Sequence, residues 1–114
     1  MQTKIEHFKG TDSPPEWLVK NSREEIIKFC QKWRITEFSF FGSVVRDDFN
    51  PGSDVDILVS FADNAPWSLY DWTLMIEELK AILGRDVDLV EKTTLTNPFR
   101  RHSILSNRTV IYAT

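Results

Sequence analysis

Residues 41–61 read Phe-Gly-Ser-Val-Val-Arg-Asp-Asp-Phe-Asn-Pro-Gly-Ser-Asp-Val-Asp-Ile-Leu-Val-Ser-Phe, and few folds accommodate that order. A short aromatic run ends in Gly42-Ser43, the chain turns at Asn50-Pro51-Gly52, and Asp54-Val55-Asp56 leads into an apolar segment. Successive side chains on a strand point to opposite faces, so Asp54 and Asp56 share one face while Val55, Ile57 and Val59 point into a core. Two carboxylates crowded at a strand end repel each other, and neither gains from burial. A cation has to hold them there. Oxygen-only donors suit a hard divalent ion, Mg²⁺ or Mn²⁺.

The same acidic alternation returns in Asp86-Val87-Asp88-Leu89-Val90. If that segment is a strand beside the first, a third carboxylate joins the pair at one sheet edge. Three such ligands can bridge two ions about 3.5–4 Å apart, an arrangement suited to in-line displacement at phosphorus. Asp88 fits this place best, because Leu89 and Val90 follow it much as Ile57 and Leu58 follow Asp56. Asp86 shares its face and competes with it, the other role open to it being an ion pair with Arg85 or Arg46. Glycine at position 42 allows close backbone approach or a positive φ. A short helix starting at Ser43 would offer amides and a hydroxyl to phosphate oxygens, with Arg46 about one turn later. Each half is ordinary alone: Asp-x-Asp often caps a turn, and Gly-Ser often opens a helix. Their spacing across a Pro-Gly turn, together with Asp88, is what makes a site.

The remaining pattern predicts a single α/β (α+β) domain, a small mixed β-sheet with helices covering one face. Ser22-Arg23-Glu24-Glu25 has the form of a capping box, and Ile26, Ile27, Cys30 and Trp33 follow at helical spacing, which predicts a helix over about 22–34. Residues 1–21 form a lead-in, with Ser13-Pro14-Pro15 as a breaker, and 22–114 form the domain. Strands are predicted over 36–41, from Asp54 through Val59, over 86–91 and over 110–112, the last at an edge. Leu69, Trp72, Ile76, Leu79 and Leu83 mark an amphipathic helix ending at Gly84, and Asn97-Pro98 opens another.

Composition removes several alternatives. The chain has 114 residues, 41% hydrophobic and 27% charged, a globular balance. A formal net charge of −3 argues against a broad nucleic-acid surface. Cys30 is the only cysteine, so no internal disulfide forms, and a reducing cytoplasmic setting is expected. No apolar run approaches the roughly 20 residues of a membrane span, and the N-terminus lacks the apolar segment of a signal peptide. Trp33 and Trp72 follow core periodicity, whereas Trp17 and Trp67 break it and are interface candidates. His7 and His102 lack metal-ligand spacing. Arg100, Arg101 and Arg108 read as a solvated basic face.

With these residues in place, the chain resembles the minimal nucleotidyltransferases (the MNT group) of the polymerase-β-like superfamily. Gly42, Ser43, Arg46, Ser53, Asp54 and Asp56 stand at the positions of that family's pattern, and Asp88 matches its third carboxylate. The resemblance spans about residues 23–112 and departs from the family where Asp47 replaces the usual glycine. It implies ATP as donor, Mg²⁺ held by Asp54, Asp56 and Asp88, and phosphate contacts from Gly42, Ser43, Arg46 and Ser53. The short chain leaves little material to enclose a small acceptor. The resemblance therefore implies an antitoxin that attaches AMP to a tyrosine of a partner HEPN-type toxin. Two other expectations stand beside it: a catalytically silent module that neutralises its partner by contact, to which the negative charge of Asp47 gives weight, and nucleotidyl transfer to a small molecule or RNA end.

Overall fold

The computed structural model describes residues 16–45 and 52–114, with the backbone alone for 16–21. The chain opens with helix α1 (Glu16–Lys32) and strand β1 (Ile35–Phe41), followed by a 3₁₀ turn (Gly42–Val45). Then come β2 (Val55–Phe61), α2 (Leu69–Leu83), β3 (Val87–Glu91), a second 3₁₀ turn (Lys92–Thr94), α3 (Pro98–Ser106) and β4 (Thr109–Ala113). The strands form one sheet in the order β3-β2-β1-β4, antiparallel except where β2 pairs with β3. Only a crossover connection can join adjacent parallel strands, and α2 supplies it. The last strand lies at an edge, as the sequence predicts.

Strand alternation divides the apolar residues between two faces. Phe38, Phe40, Val55, Ile57, Val59 and Leu89 join Ile26, Phe29, Met75 and Leu79 of α1 and α2 in the larger core. Phe41 and Leu58, on the opposite face, meet Leu95 and Ile104 in a smaller cluster, with Val90 packed against it. This corrects the expectation that helices cover one face alone. The short helix α3 has few apolar residues, so its periodicity gives no hint that Ile104 packs on the second face.

Helix α1 also starts at Glu16 rather than near Ser22. Glu16–Asn21 contains neither glycine nor proline to halt a helix, so the helix extends upstream through the capping-box sequence. Ser22 is consequently a buried residue inside the helix and not its cap. Helix α2 begins at a true capping box, Ser68 with Asp71, and ends at Gly84 in the left-handed conformation, φ 69°. Asn97 caps α3 by accepting hydrogen bonds from the backbone amides of Phe99 and Arg100, both at 3.0 Å. The Lys92–Thr94 turn has no counterpart in the sequence reading.

Trp67 is also accounted for structurally. Its indole N–H donates to the Trp33 carbonyl at 2.8 Å, and the two rings meet edge-to-face at 5.0 Å. Trp67 therefore packs against the core while staying partly exposed, and the Trp17 side chain lies outside the described residues. Trp33 is buried and Trp72 packs on the same core, as expected. No helix among the described residues is long and apolar enough to cross a membrane.

Two measurements test this packing. Ile57 is fully buried at the centre of the larger core, so Ile57→Ala is expected to cost about 3 kcal/mol in urea denaturation. Burial pushes the Cys30 thiol far above its ordinary range, so iodoacetamide should leave native protein unmodified and react only after unfolding.

Candidate active site

The antiparallel pairing of β1 with β2 brings the end of one strand to the start of the other, with Phe41 opposite Asp56. The parallel pairing of β2 with β3 then sets Asp56 opposite Asp88 and Val55 opposite Val87. The two carboxylates therefore occupy one register position on one face, the face that also carries Phe41, Leu58 and Val90. A backbone hydrogen bond from Val55 N–H to Asp86 O, 2.9 Å long, anchors that register at the strand ends. Asp54 immediately precedes β2 and is exposed, Asp56 is half-buried and Asp88 is exposed.

Gly42 closes the site from β1. Its φ is +71°, a conformation L side chains rarely adopt, and a Cβ there would collide with the Asp56 carboxylate. Glycine is thus required twice over at this position, once by the turn and once by the approach of Asp56. Ser43 follows in the 3₁₀ turn with Val44 and Val45 buried beneath it. Among the described residues the turn is a short 3₁₀ segment, Gly42–Val45. Arg46 and Asp47 lie outside the described residues.

Three cavities lined by described residues take in Ser53 with Asp54, Gly42, and Asp88 in turn. Ser53 and Asp54 open onto a cavity of about 590 Å³ with Lys80, Arg85 and Asp86. Gly42 opens onto one of about 340 Å³ with Phe41, Val45 and Arg100. Asp88 opens onto one of about 460 Å³ with Leu69, Trp72, Val90 and Arg100. Asp86 is engaged by Lys80 of α2 at 3.6 Å, and Arg46, one of the two partners expected for it, lies outside the described residues. Glu77, and after it Asp86, holds the Lys80 ammonium above its ordinary pKa.

Among the described residues, no three His, Cys, Asp or Glu side chains gather closely enough to enclose an ion by themselves. Asp54, Asp56 and Asp88 share an end of the sheet without forming a closed cage. The donor set still fits Mg²⁺, which is characteristically held by one or two carboxylates together with substrate phosphates. Sequence reasoning missed Arg100, which lines two of the cavities, and the exposed apolar residues Leu69, Tyr70 and Phe99. Periodicity shows that Leu69 belongs to α2; it does not show that Leu69 lines a cavity with Asp88.

The contact between Gly42 and Asp56 is testable. Gly42→Ala is expected to destabilise the fold by about 1–2 kcal/mol, from positive φ and the clash combined. In an Asp56→Ala background the clash is relieved, so urea denaturation of the four variants should give a coupling above about 0.5 kcal/mol.

Comparison with known proteins agrees with this arrangement. The family model for a nucleotidyltransferase domain matches residues 23–111. "Putative protein adenylyltransferase MJ1379" of Methanocaldococcus jannaschii is 34% identical over 86 residues, 75% of this chain and 84% of that protein. The protein adenylyltransferase MntA of Thermococcus cleftensis is 43% identical over 65 residues, 57% of this chain and 64% of that one. A solved "putative minimal nucleotidyltransferase" superposes with a TM-score of 0.68 at 28% identity, covering 87% of this chain and 97% of its own. The MNT antitoxin complexed with a tri-AMPylated HEPN toxin of Shewanella oneidensis shares the fold, with a TM-score of 0.62, 22% identity, and coverage of 83% and 72%. The mixed sheet and its flanking helices are therefore those of a polymerase-β-like fold, and this chain belongs to the nucleotidyltransferase domain family.

Proposed function

We propose that this protein is an antitoxin that transfers AMP from ATP, with Mg²⁺ (or Mn²⁺), to a tyrosine hydroxyl of a HEPN-type partner toxin. The observation that carries this reading is the register pair Asp56–Asp88 with Gly42 pressed against Asp56. Family membership supports nucleotidyl transfer, and the adenylyltransferase and toxin–antitoxin names of its relatives support AMP and a protein acceptor. Leu69 and Phe99 are 80% and 85% exposed at the N-termini of α2 and α3, and Leu69 lines the cavity that contains Asp88. Large apolar side chains so placed suit contact with another protein.

In this reading Asp54, Asp56 and Asp88 hold the divalent ion, which when bound neutralises phosphate charge and lowers the pKa of the acceptor hydroxyl. Gly42 lets the backbone approach the nucleotide, and Ser43, Ser53 and Arg46 donate to phosphate oxygens. The acceptor oxygen attacks the α-phosphorus, forming a new O–P bond. The bond from α-phosphorus to the bridging oxygen breaks, and pyrophosphate leaves with that electron pair. Asp88, on the acceptor side, takes the hydroxyl proton. Asp56 is half-buried, and its carboxylate occupies the space that a side chain at position 42 would take.

Incubation with the partner encoded beside it, Mg²⁺, and ATP labelled at either the α- or the γ-phosphate tests the reading. Label from the α-position is expected on the partner and label from the γ-position is not. Asp56→Asn or Asp88→Asn should slow transfer by about a hundredfold or more. Appearance of γ-label would replace AMP transfer by phosphoryl transfer. Absence of both labels, with the partner still neutralised by Asp54→Asn/Asp56→Asn protein, would favour a silent binding module.

A further inference from the structure

The basic residues near the C-terminus do not form a uniform solvated face. Arg101 donates through Nη1 to the Lys92 carbonyl at 3.2 Å, and Arg108 faces Glu37 at 3.4 Å. Arg100 differs from both. Its backbone amide is fixed by the Asn97 cap, but its exposed guanidinium makes no hydrogen bond or ion pair with a described residue. It is also the one described residue that lines both the cavity beside Gly42 and the cavity containing Asp88. A side chain at that boundary stands between the strand end that carries the glycine turn and the carboxylate that faces the acceptor side.

Charge explains what such a position is suited to. A triphosphate beside three carboxylates brings many negative charges together, and divalent ions offset only part of them. A guanidinium presents planar paired donors that match two oxygens of one phosphate and, unlike an ammonium, fix its orientation as well. We propose that Arg100 binds the two non-bridging oxygens of the α-phosphate, with nucleotide on the Gly42 side and the acceptor side chain in the Asp88 cavity. This rests on the AMP-transfer reading and adds to it a specific cation at the reacting phosphorus. Arg100 donates to the same two oxygens while the acceptor O–P bond forms and the bond to pyrophosphate breaks. It exchanges no proton in the step.

Calorimetric titration of wild type, Arg100→Ala and Arg100→Lys with Mg²⁺–ATP and with Mg²⁺–AMP tests the assignment without any partner. Arg100→Ala is expected to weaken both nucleotides by about tenfold or more, with lysine recovering part of the loss. Its thermal melting should match wild type, because the side chain is exposed and makes no bond to lose. With the partner present, Arg100→Ala should lower kcat for α-label transfer by about a hundredfold. Wild-type affinity for both nucleotides in Arg100→Ala overturns the proposal. So does weakened ATP with unchanged AMP, since Arg100 would then contact the leaving pyrophosphate. A wild-type protein that binds nucleotide through Arg100 but transfers no label would overturn the AMP-transfer reading and leave the phosphate contact standing.

Discussion

The parallel pairing of β2 with β3 sets Asp56 against Asp88, and most of the molecule maintains that register. Side-chain direction has a period of two along a strand, so a slip of one residue would turn Asp88 into the larger core and Leu89 onto the carboxylate face. Two apolar clusters oppose such a slip from both sides. Ile57 and Leu89 are locked beneath α1 and α2, and Leu58 beneath Leu95 and Ile104. The carboxylates repel each other at this pairing, but the loss of packing on two faces costs more than solvent-screened repulsion between half-exposed groups.

Burial of both faces also limits what the rest of the sheet can do. Gly42 must adopt positive φ because β1 ends against the beginning of β2, and the Asp56 carboxylate occupies the space of its missing side chain. Among the described residues, Asp54, Gly42 and Asp88 each line a different cavity. In the proposed reaction, the nucleotide and the macromolecular acceptor would enter separate cavities. The lack of a closed three-ligand cluster among the described residues suits the proposed Mg²⁺, whose shell substrate phosphates would complete.

Much of this arrangement is legible in the sequence where local chemistry fixes it. The two Asp-Val-Asp steps, the Gly84 stop and the Asn97-Pro98 start all correspond to observed elements, because strand alternation and helix caps act over a few residues. What is not legible depends on long-range packing. The Ser22–Glu25 pattern mimics a helix start, yet α1 continues upstream to Glu16 because the preceding residues contain no breaker. Trp67 breaks the helical period for a different reason, its indole being tied to the Trp33 carbonyl ahead of α2. Arg100 looks like one of several surface arginines until α3 is placed on the carboxylate face. The pairing of Asp56 with Asp88 can be anticipated from sequence, but that Arg100 lines a cavity with Asp88 cannot.

Paramagnetic broadening by Mn²⁺ in the presence of a non-hydrolysable ATP analogue tests the central claim, that one metal–nucleotide site forms where β1, β2 and β3 meet. The account predicts that amide resonances of Gly42, Ser43, Asp54 to Asp56 and Asp88 disappear first. Lys32 and Glu78, paired between α1 and α2 near the start of β1, should persist to higher Mn²⁺. Broadening that begins at those helix residues, or that spreads evenly over exposed carboxylates, would contradict it.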